Sequence, residues 1–294
     1  MDLDTHAGGV LAALPPQPTV NDFSDRTFGR ITTLMYETVG LSMNASKKSL
    51  VASRLAPRIQ RLGLRGYDDY LALLLDEREA AEFQMAVDLL TTNETYFFRE
   101  PHHFELLHKE LVARHSRAPL AVWSAAASFG DEAYSTAMLL AELHKAGQIG
   151  ADWSILATDI SHRVLLSAKQ GVYPVDRLRH VSPERLKRHC LRGEGPAEGQ
   201  VMVKDELRER VRFGQLNLCK PISGIGPFDV VFLRNVLIYF DAETKRAVID
   251  RVVATIKPGG ILFMGTAEGR AHAESGLEAL IPGAFRKPLA PSRR

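Results

Sequence analysis

The sequence predicts an α/β protein: a doubly wound, Rossmann-like parallel sheet, preceded by an all-helical domain and interrupted by a small β-subdomain. Three observations predict it. Residues 21–90 show apolar positions at helical spacing only. From about residue 119, short apolar runs alternate with amphipathic helical patterns, the signature of βαβ units. One of those runs, Phe228–Leu233, is nearly all apolar, as a parallel strand buried on both faces must be.

The 294 residues suffice for one large domain or two smaller ones. A hydrophobic content of 45% and a charged content of 24% are those of an ordinary globular chain. The net charge of +2 gives no global polyanion-binding signal, so any basic patch is local. Cys190 and Cys219 stand in no metal-ligand spacing, which points to a reducing compartment. Residues 1–20 lack a basic stretch followed by an apolar one and read as a disordered tail. No apolar run reaches membrane-spanning length, so a cytoplasmic protein is expected.

In the helical domain, Asp22, Ser24 and Asp25 offer an N-cap, Phe28, Ile31, Leu34 and Met35 follow at helical spacing, and Gly40 closes the helix. Between Lys47 and Arg65, five cations (Lys47, Arg54, Arg58, Arg61, Arg65) fall on one helical face, with Val51, Leu55, Ile59 and Leu62 beside them. Pro57 marks a kink or a break. This face is either a solvated surface or a dock for an acidic partner; unpaired like charges along one face repel and favour docking. Tyr67–Leu75 and Glu79–Leu90 are further short helices. The polar and aromatic stretch Thr91–Glu100 then opens a junction segment over 91–118. Its short polar side chains compete for the backbone, so it is a structured junction or a helix cap.

The sheet domain spans 119–294. Leu120–Trp123 is its first strand, Ser124–Gly130 a small-residue loop and Asp131–Lys145 a helix. Strands follow at Trp153–Ile160, Val211–Leu218, Phe228–Leu233 and Ile261–Gly265, with helices at Ser161–Gln170 and Asp241–Ile256. Lys257–Gly260 forms a turn before the fifth strand, and residues 172–210 form the insertion.

Ligands of such sheets bind outside the carboxyl ends of the strands. There the Ser124–Gly130 loop lets a ligand approach backbone amides, Asp159 is placed for ribose hydroxyls or as a helix cap, and Arg234-Asn235 follows the fourth strand. These features permit a dinucleotide or an adenosyl ligand; the Lys-Pro-Gly-Gly turn favours the adenosyl one.

The motifs Thr91-Thr92-Asn93-x-Thr95-x-Phe97-Phe98-Arg99-Glu100, Val122–Ser128 with Gly130, Tyr134-Ser135, Asp159-Ile160, Leu216–Leu218 and Arg234-Asn235-Val236-x-Ile238-Tyr239-Phe240 together resemble the chemotaxis receptor methyltransferase family, CheR. The resemblance covers nearly the whole chain after Asp22. It implies a class I methyltransferase sheet and a protein-glutamate O-methyltransferase that turns S-adenosylmethionine into S-adenosylhomocysteine while methylating glutamates of membrane chemoreceptors. On the matching positions it implies cofactor contacts from Asn93, Thr95, Arg99, Glu132, Asp159, Asn217, Leu218, Arg234 and Asn235, with Arg99 and Tyr239 nearest the transferred methyl. It implies that Arg54, Arg58 and Arg61 dock on the receptor and that the loop of Gly193 and Gly195 holds a receptor's C-terminal pentapeptide. A cytoplasmic monomer is implied, with no metal, no nucleic acid and no membrane insertion. Phe129, Asp131 and Ala133 depart from the family pattern and are expected beside the cofactor. Phe129 and Asp131 motivate an alternative, a non-catalytic S-adenosylmethionine-sensing module that binds receptors. A nucleic-acid methyltransferase is a third reading, disfavoured by the near-neutral charge.

Overall fold

The computed structural model describes residues 16–268 and 276–289. The tail expected over 1–20 therefore lies outside the described residues for its first fifteen positions. The chain divides into two compact units. The first runs to Leu34 and resumes over Met43–Leu90; the second comprises Met35–Ser42 and everything from Thr91. Residues 35–42, assigned from the sequence to the helical domain, thus count with the sheet unit.

The first unit contains most of α1 (Asp25–Val39), then α2 (Lys48–Arg61), α3 (Tyr67–Leu74) and α4 (Ala80–Leu90). Ser24 caps α1 by accepting the Thr27 amide at 3.0 Å. Along α2, Val51, Leu55 and Ile59 are fully buried, and Pro57 stays inside the helix on its exposed side. The basic face is not a row of unpaired charges. Arg58 grips the buried Glu82 with Nε at 3.0 and 3.1 Å from its two oxygens, and Tyr70 donates to the same carboxylate at 2.8 Å. Arg54 donates to the Leu90 carbonyl at 2.8 Å. Arg65 lies beyond the helix end and pairs with Asp69 at 2.8 Å. The expectation of mutual repulsion fails because Glu82 stands 24 residues away in sequence, outside any helical spacing rule. Arg61 is exposed.

In the second unit the elements are, in chain order, α5 (Pro101–Arg114), β1 (Leu120–Ser124), α6 (Asp131–Lys145), β2 (Trp153–Asp159), α7 (His162–Gln170), β3 (Val172–Pro174), α8 (Pro183–His189), β4 (Cys190–Arg192), β5 (Gln200–Val203), α9 (Asp205–Arg208), β6 (Val211–Gln215), β7 (Phe228–Leu233), α10 (Ala242–Ala254), β8 (Ile256–Met264), β9 (Glu278–Ile281) and β10 (Ala284–Arg286). The main sheet has the order β6-β2-β1-β7-β8-β10-β9. Its strands are parallel from β6 to β8, and β10 runs antiparallel to both its neighbours. This is a doubly wound, Rossmann-like sheet with an antiparallel edge. The order reverses between β1 and β7, which opens a crevice at their carboxyl ends. β7 feeds both faces: Val230 and Phe232 join the cluster of Phe104, Tyr134 and Phe263, while Val231 and Leu233 join that of Trp123, Val248 and Leu262. Its unbroken apolar sequence follows from that double burial.

Three details differ from expectation. β6 stops at Gln215, leaving Leu216–Leu218 as a loop at the strand end. Lys257–Gly260 is not a turn ahead of β8 but a bulge within it: Phe228 pairs with Ile256 and Val230 with Ile261. The antiparallel pair β9 and β10 was not expected at all. The insertion is a separate three-stranded antiparallel sheet, β3-β5-β4. Among the described residues no helix is long and apolar enough to cross a membrane.

Candidate functional site

The alanine-rich loop after β1 is clamped from three sides. Ala125 N–H donates to Phe232 and Ala127 N–H to Thr158, both at 2.8 Å, and Ser128 N–H donates to the Asp159 carboxylate at 2.8 Å. The other Asp159 oxygen accepts Ser161 N–H at 2.9 Å. The helix cap belongs to Ser161, whose hydroxyl accepts from Val164. Asp159 is thus fixed at the carboxyl end of β2 by two backbone amides.

Beside this loop lies a cleft. Asn93, Thr95, Arg99, Glu132, Asp159, Asn217, Leu218, Arg234, Asn235 and Tyr239 all line it, together with Ala125, Ala126 and Ala127. The fold brings together every cofactor and catalytic candidate drawn from the sequence. Arg54, Arg58 and Arg61 belong to the first unit, and Gly193 and Gly195 to the β4–β5 connection. At Gly193 a Cβ would stand 2.0 Å from the Ala197 carbonyl, so this loop closes only with glycine there.

The charged centre is built around Arg234 at the end of β7. It is buried, pairs with Glu132 at 3.0 Å and Glu100 at 3.5 Å, and donates to the Arg99 carbonyl. Glu132 also accepts from the Ser124 hydroxyl at 2.6 Å. Burial pushes the Glu132 carboxyl up, against the pull of Arg234 and Ser124. Burial would raise Glu100 too, but Arg234 and Thr266 outweigh it and hold the carboxyl below its usual value. Arg234 therefore acts as a strut that joins the junction to the sheet.

The junction itself is stapled by its aromatics. Phe97 meets Tyr173 edge-on at 5.0 Å and Phe98 meets Phe104 at 5.1 Å. Phe98 adopts φ +54 and its amide donates to Ser135 Oγ at 2.9 Å. This fixes Arg99, whose Nη1 donates to the Glu94 carbonyl at 3.1 Å. Tyr239 donates to the Thr92 carbonyl at 3.2 Å. Both cleft residues thus hold the junction backbone.

Sequence reasoning missed Glu268. This buried carboxylate accepts the amides of Asn235 at 2.6 Å, Ile238 at 3.1 Å and Gly265 at 3.1 Å, and so shapes the turn after β7. Burial pushes its pKa up, against those amides. A Cβ at Gly265 would fall 2.6 Å from it. Also missed were Tyr96, Val39 and Leu41, which line the cleft. The 35–42 segment is held there: Asn217 donates to the Thr38 carbonyl at 2.7 Å, and Ser42 N–H to the Tyr239 carbonyl at 2.9 Å. Nothing local marks these residues, since two apolar side chains at a helix end read as core.

The placement of Phe129, Asp131 and Ala133 beside the cofactor is corrected. None of them lines the cleft. Asp131 is fully buried and held bidentately by Arg177 at 2.7 and 3.0 Å, and Phe129 packs against the same guanidinium at 4.5 Å. Phe129 and Asp131 form one local unit with Arg177 that does not line the cleft. Glu100, His102 and His103 place ligand-type atoms within 4.8 Å of one another. Arg234 beside Glu100 supplies positive charge there, which opposes a metal cation.

Residues 93–279 match the family described as CheR methyltransferase, SAM binding domain, and residues 26–91 match CheR methyltransferase, all-alpha domain. The chemotaxis protein methyltransferase of Escherichia coli (strain K12) is 42% identical over 252 residues, 85% of this chain and 87% of its own length. Chemotaxis protein methyltransferase 2 of Pseudomonas aeruginosa is 42% identical over 255 residues, 85% and 89% of the two chains. Among solved structures, an O-methyltransferase family protein from Burkholderia thailandensis aligns with 90% of this chain and 85% of its own at 15% identity and a TM-score of 0.39.

Proposed function

The chain belongs to the CheR methyltransferase family, with S-adenosylmethionine as its cofactor, and from that premise we propose that it is a protein-glutamate O-methyltransferase acting on methyl-accepting chemotaxis receptors. The cleft suits the cofactor. Asp159 offers fixed acceptors to a diol, the alanine loop permits close approach, and Val39, Leu41, Leu218 and Phe240 supply an apolar wall for a flat ring. When bound, the cofactor supplies a methyl group activated by a sulfonium.

The observation that carries the reading is how two of the cleft's three carboxylates, Glu132 and Asp159, are held, Glu94 being the third. Glu132 is tied to Ser124 and Arg234, and Asp159 to two backbone amides. Neither is positioned as a general base. A glutamate acceptor, with a pKa of about 4.3, is already ionised at neutral pH and needs none. Alignment then does most of the chemistry. Arg99 orients the acceptor carboxylate, Tyr239 lines the cleft and holds the Thr92 carbonyl, and Arg234 keeps both the Arg99 backbone and Glu132 in place.

Docking follows the same chemistry. Arg54 and Arg61 on α2 face an acidic helical bundle; Arg58 contributes less, being neutralised by Glu82. The Gly193–Gly195 loop holds a receptor's C-terminal pentapeptide, which raises effective concentration without touching the chemistry. The protein works as a cytoplasmic monomer. The non-catalytic sensing module gains no support, because Phe129 and Asp131 lie off the cleft.

The test is methyl transfer from labelled S-adenosylmethionine to receptor-bearing membranes, read as label released by mild base. Base-labile incorporation is expected; transfer to no receptor would overturn the proposal.

A further inference from the structure

At the rim of the cleft, cations gather on one aromatic ring. Tyr96 lines the cleft. Arg99 stands 5.8 Å from its centroid, Arg179 5.7 Å and the His180 ring 5.0 Å. Arg179 and His180 come from the segment between β3 and α8, and both are exposed. Arg179 Nε donates to His180 Nε2 at 3.1 Å, which leaves the His180 ring proton on Nδ1.

The neighbouring arginines set these apart. Arg177 is paired with Asp131, Arg185 with Glu142 and Arg234 with Glu132. Among the described residues neither Arg99 nor Arg179 pairs with a carboxylate. Two guanidinium groups without a carboxylate partner, 5.8 and 5.7 Å from the centroid of one ring, form a preorganised site for anions. Arg99 faces the reacting carboxylate, which leaves the Arg179 Nη atoms and His180 Nδ1 as donors further out.

We infer that Arg179 and His180, seated on Tyr96, bind a second carboxylate of the substrate, adjacent to the one that receives the methyl. This lip selects a glutamate set among other acids over an isolated one. The inference rests on the proposed receptor-glutamate activity. Its donors lie outside the cofactor cleft, so substrate recognition and cofactor binding separate in the test.

The experiment compares wild type with Arg179→Ala, Arg179→Lys and His180→Ala in the full chain. It measures methylation of a receptor fragment and, by calorimetry, affinity for S-adenosylmethionine. Loss of a charge-assisted hydrogen bond predicts that Arg179→Ala raises KM for the fragment roughly tenfold. KM should also lose part of its salt dependence. Arg179→Lys should recover part of the loss, and cofactor affinity and Tm should stay at wild-type values. A KM within twofold of wild type in Arg179→Ala would overturn the inference while leaving the methyltransferase reading intact. So would a drop in cofactor affinity, which would assign the lip to the cofactor's own carboxylate. A wild-type chain that methylates no receptor fragment would overturn both.

Discussion

Arg234 shows how one residue serves several elements. Its guanidinium joins Glu132 on α6, Glu100 at the junction and the Arg99 carbonyl. Removing one partner of a buried ion pair leaves the other uncompensated, at a cost of about 3–5 kcal/mol. Arg234→Met should lower the urea unfolding free energy by that order; a change under about 1 kcal/mol would contradict the strut. Asp159→Ala removes a carboxylate that orders the loop after β1, and cofactor affinity in calorimetry should fall by more than about tenfold. His103 gives a pH signature. It is fully buried, and burial first, then Arg234, lowers its pKa from 6.5 to about 4. The unfolded chain takes up this proton below pH 6.5, the folded chain only near 4, so the stabilisation is intact above pH 6.5 and lost as pH falls toward 4. The loss amounts to up to about 3 kcal/mol. Unfolding free energies of His103→Asn should therefore fall less steeply over that range than those of wild type. Equal slopes would contradict this.

At the scale of elements, legibility followed the length and burial of each segment. β7 was readable because burial on both faces forces an uninterrupted apolar run. α6 was readable from its amphipathic pattern and its position after the glycine-ended loop. β9 and β10 were not, because runs of four and three residues carry too little periodicity. The Lys-Pro-Gly-Gly stretch was legible as a break but not as a bulge, since the pairing of Phe228 with Ile256 is a property of two strands. The turn after β7 depends on Glu268, and no spacing rule links it to Asn235, 33 residues earlier. Glu268→Ala leaves three amides without their acceptor, of which that of Gly265 is buried and costs about 1–3 kcal/mol. Hydrogen exchange at Asn235, Ile238 and Gly265 should accelerate selectively, with turnover falling alongside; unchanged protection there would remove Glu268 from the account.

At the scale of the whole chain, the sequence carried the order of a helical part, a junction and a doubly wound sheet, together with the residues that meet at the cleft. Asp159 and Arg234-Asn235 were legible because strand ends converge at a topological switch point whatever the loops between them, whereas Asn93, Thr95, Arg99, Glu132, Asn217, Leu218 and Tyr239 were legible only through the family resemblance. The fate of the basic α2 face was not, because Glu82 and Arg58 meet only in three dimensions. Nor was the contribution of residues 35–42, which helical spacing assigns to one unit and packing to the other. On the proposed mechanism, transfer depends on Arg99 aligning an already ionised carboxylate. The most direct measurement is Arg99→Ala, with turnover on receptor membranes set against S-adenosylmethionine affinity in the same preparation. Turnover should be lower by about a hundredfold with cofactor affinity within a few-fold of wild type. Unchanged turnover, or a loss of affinity large enough to explain the whole loss of rate, would contradict it.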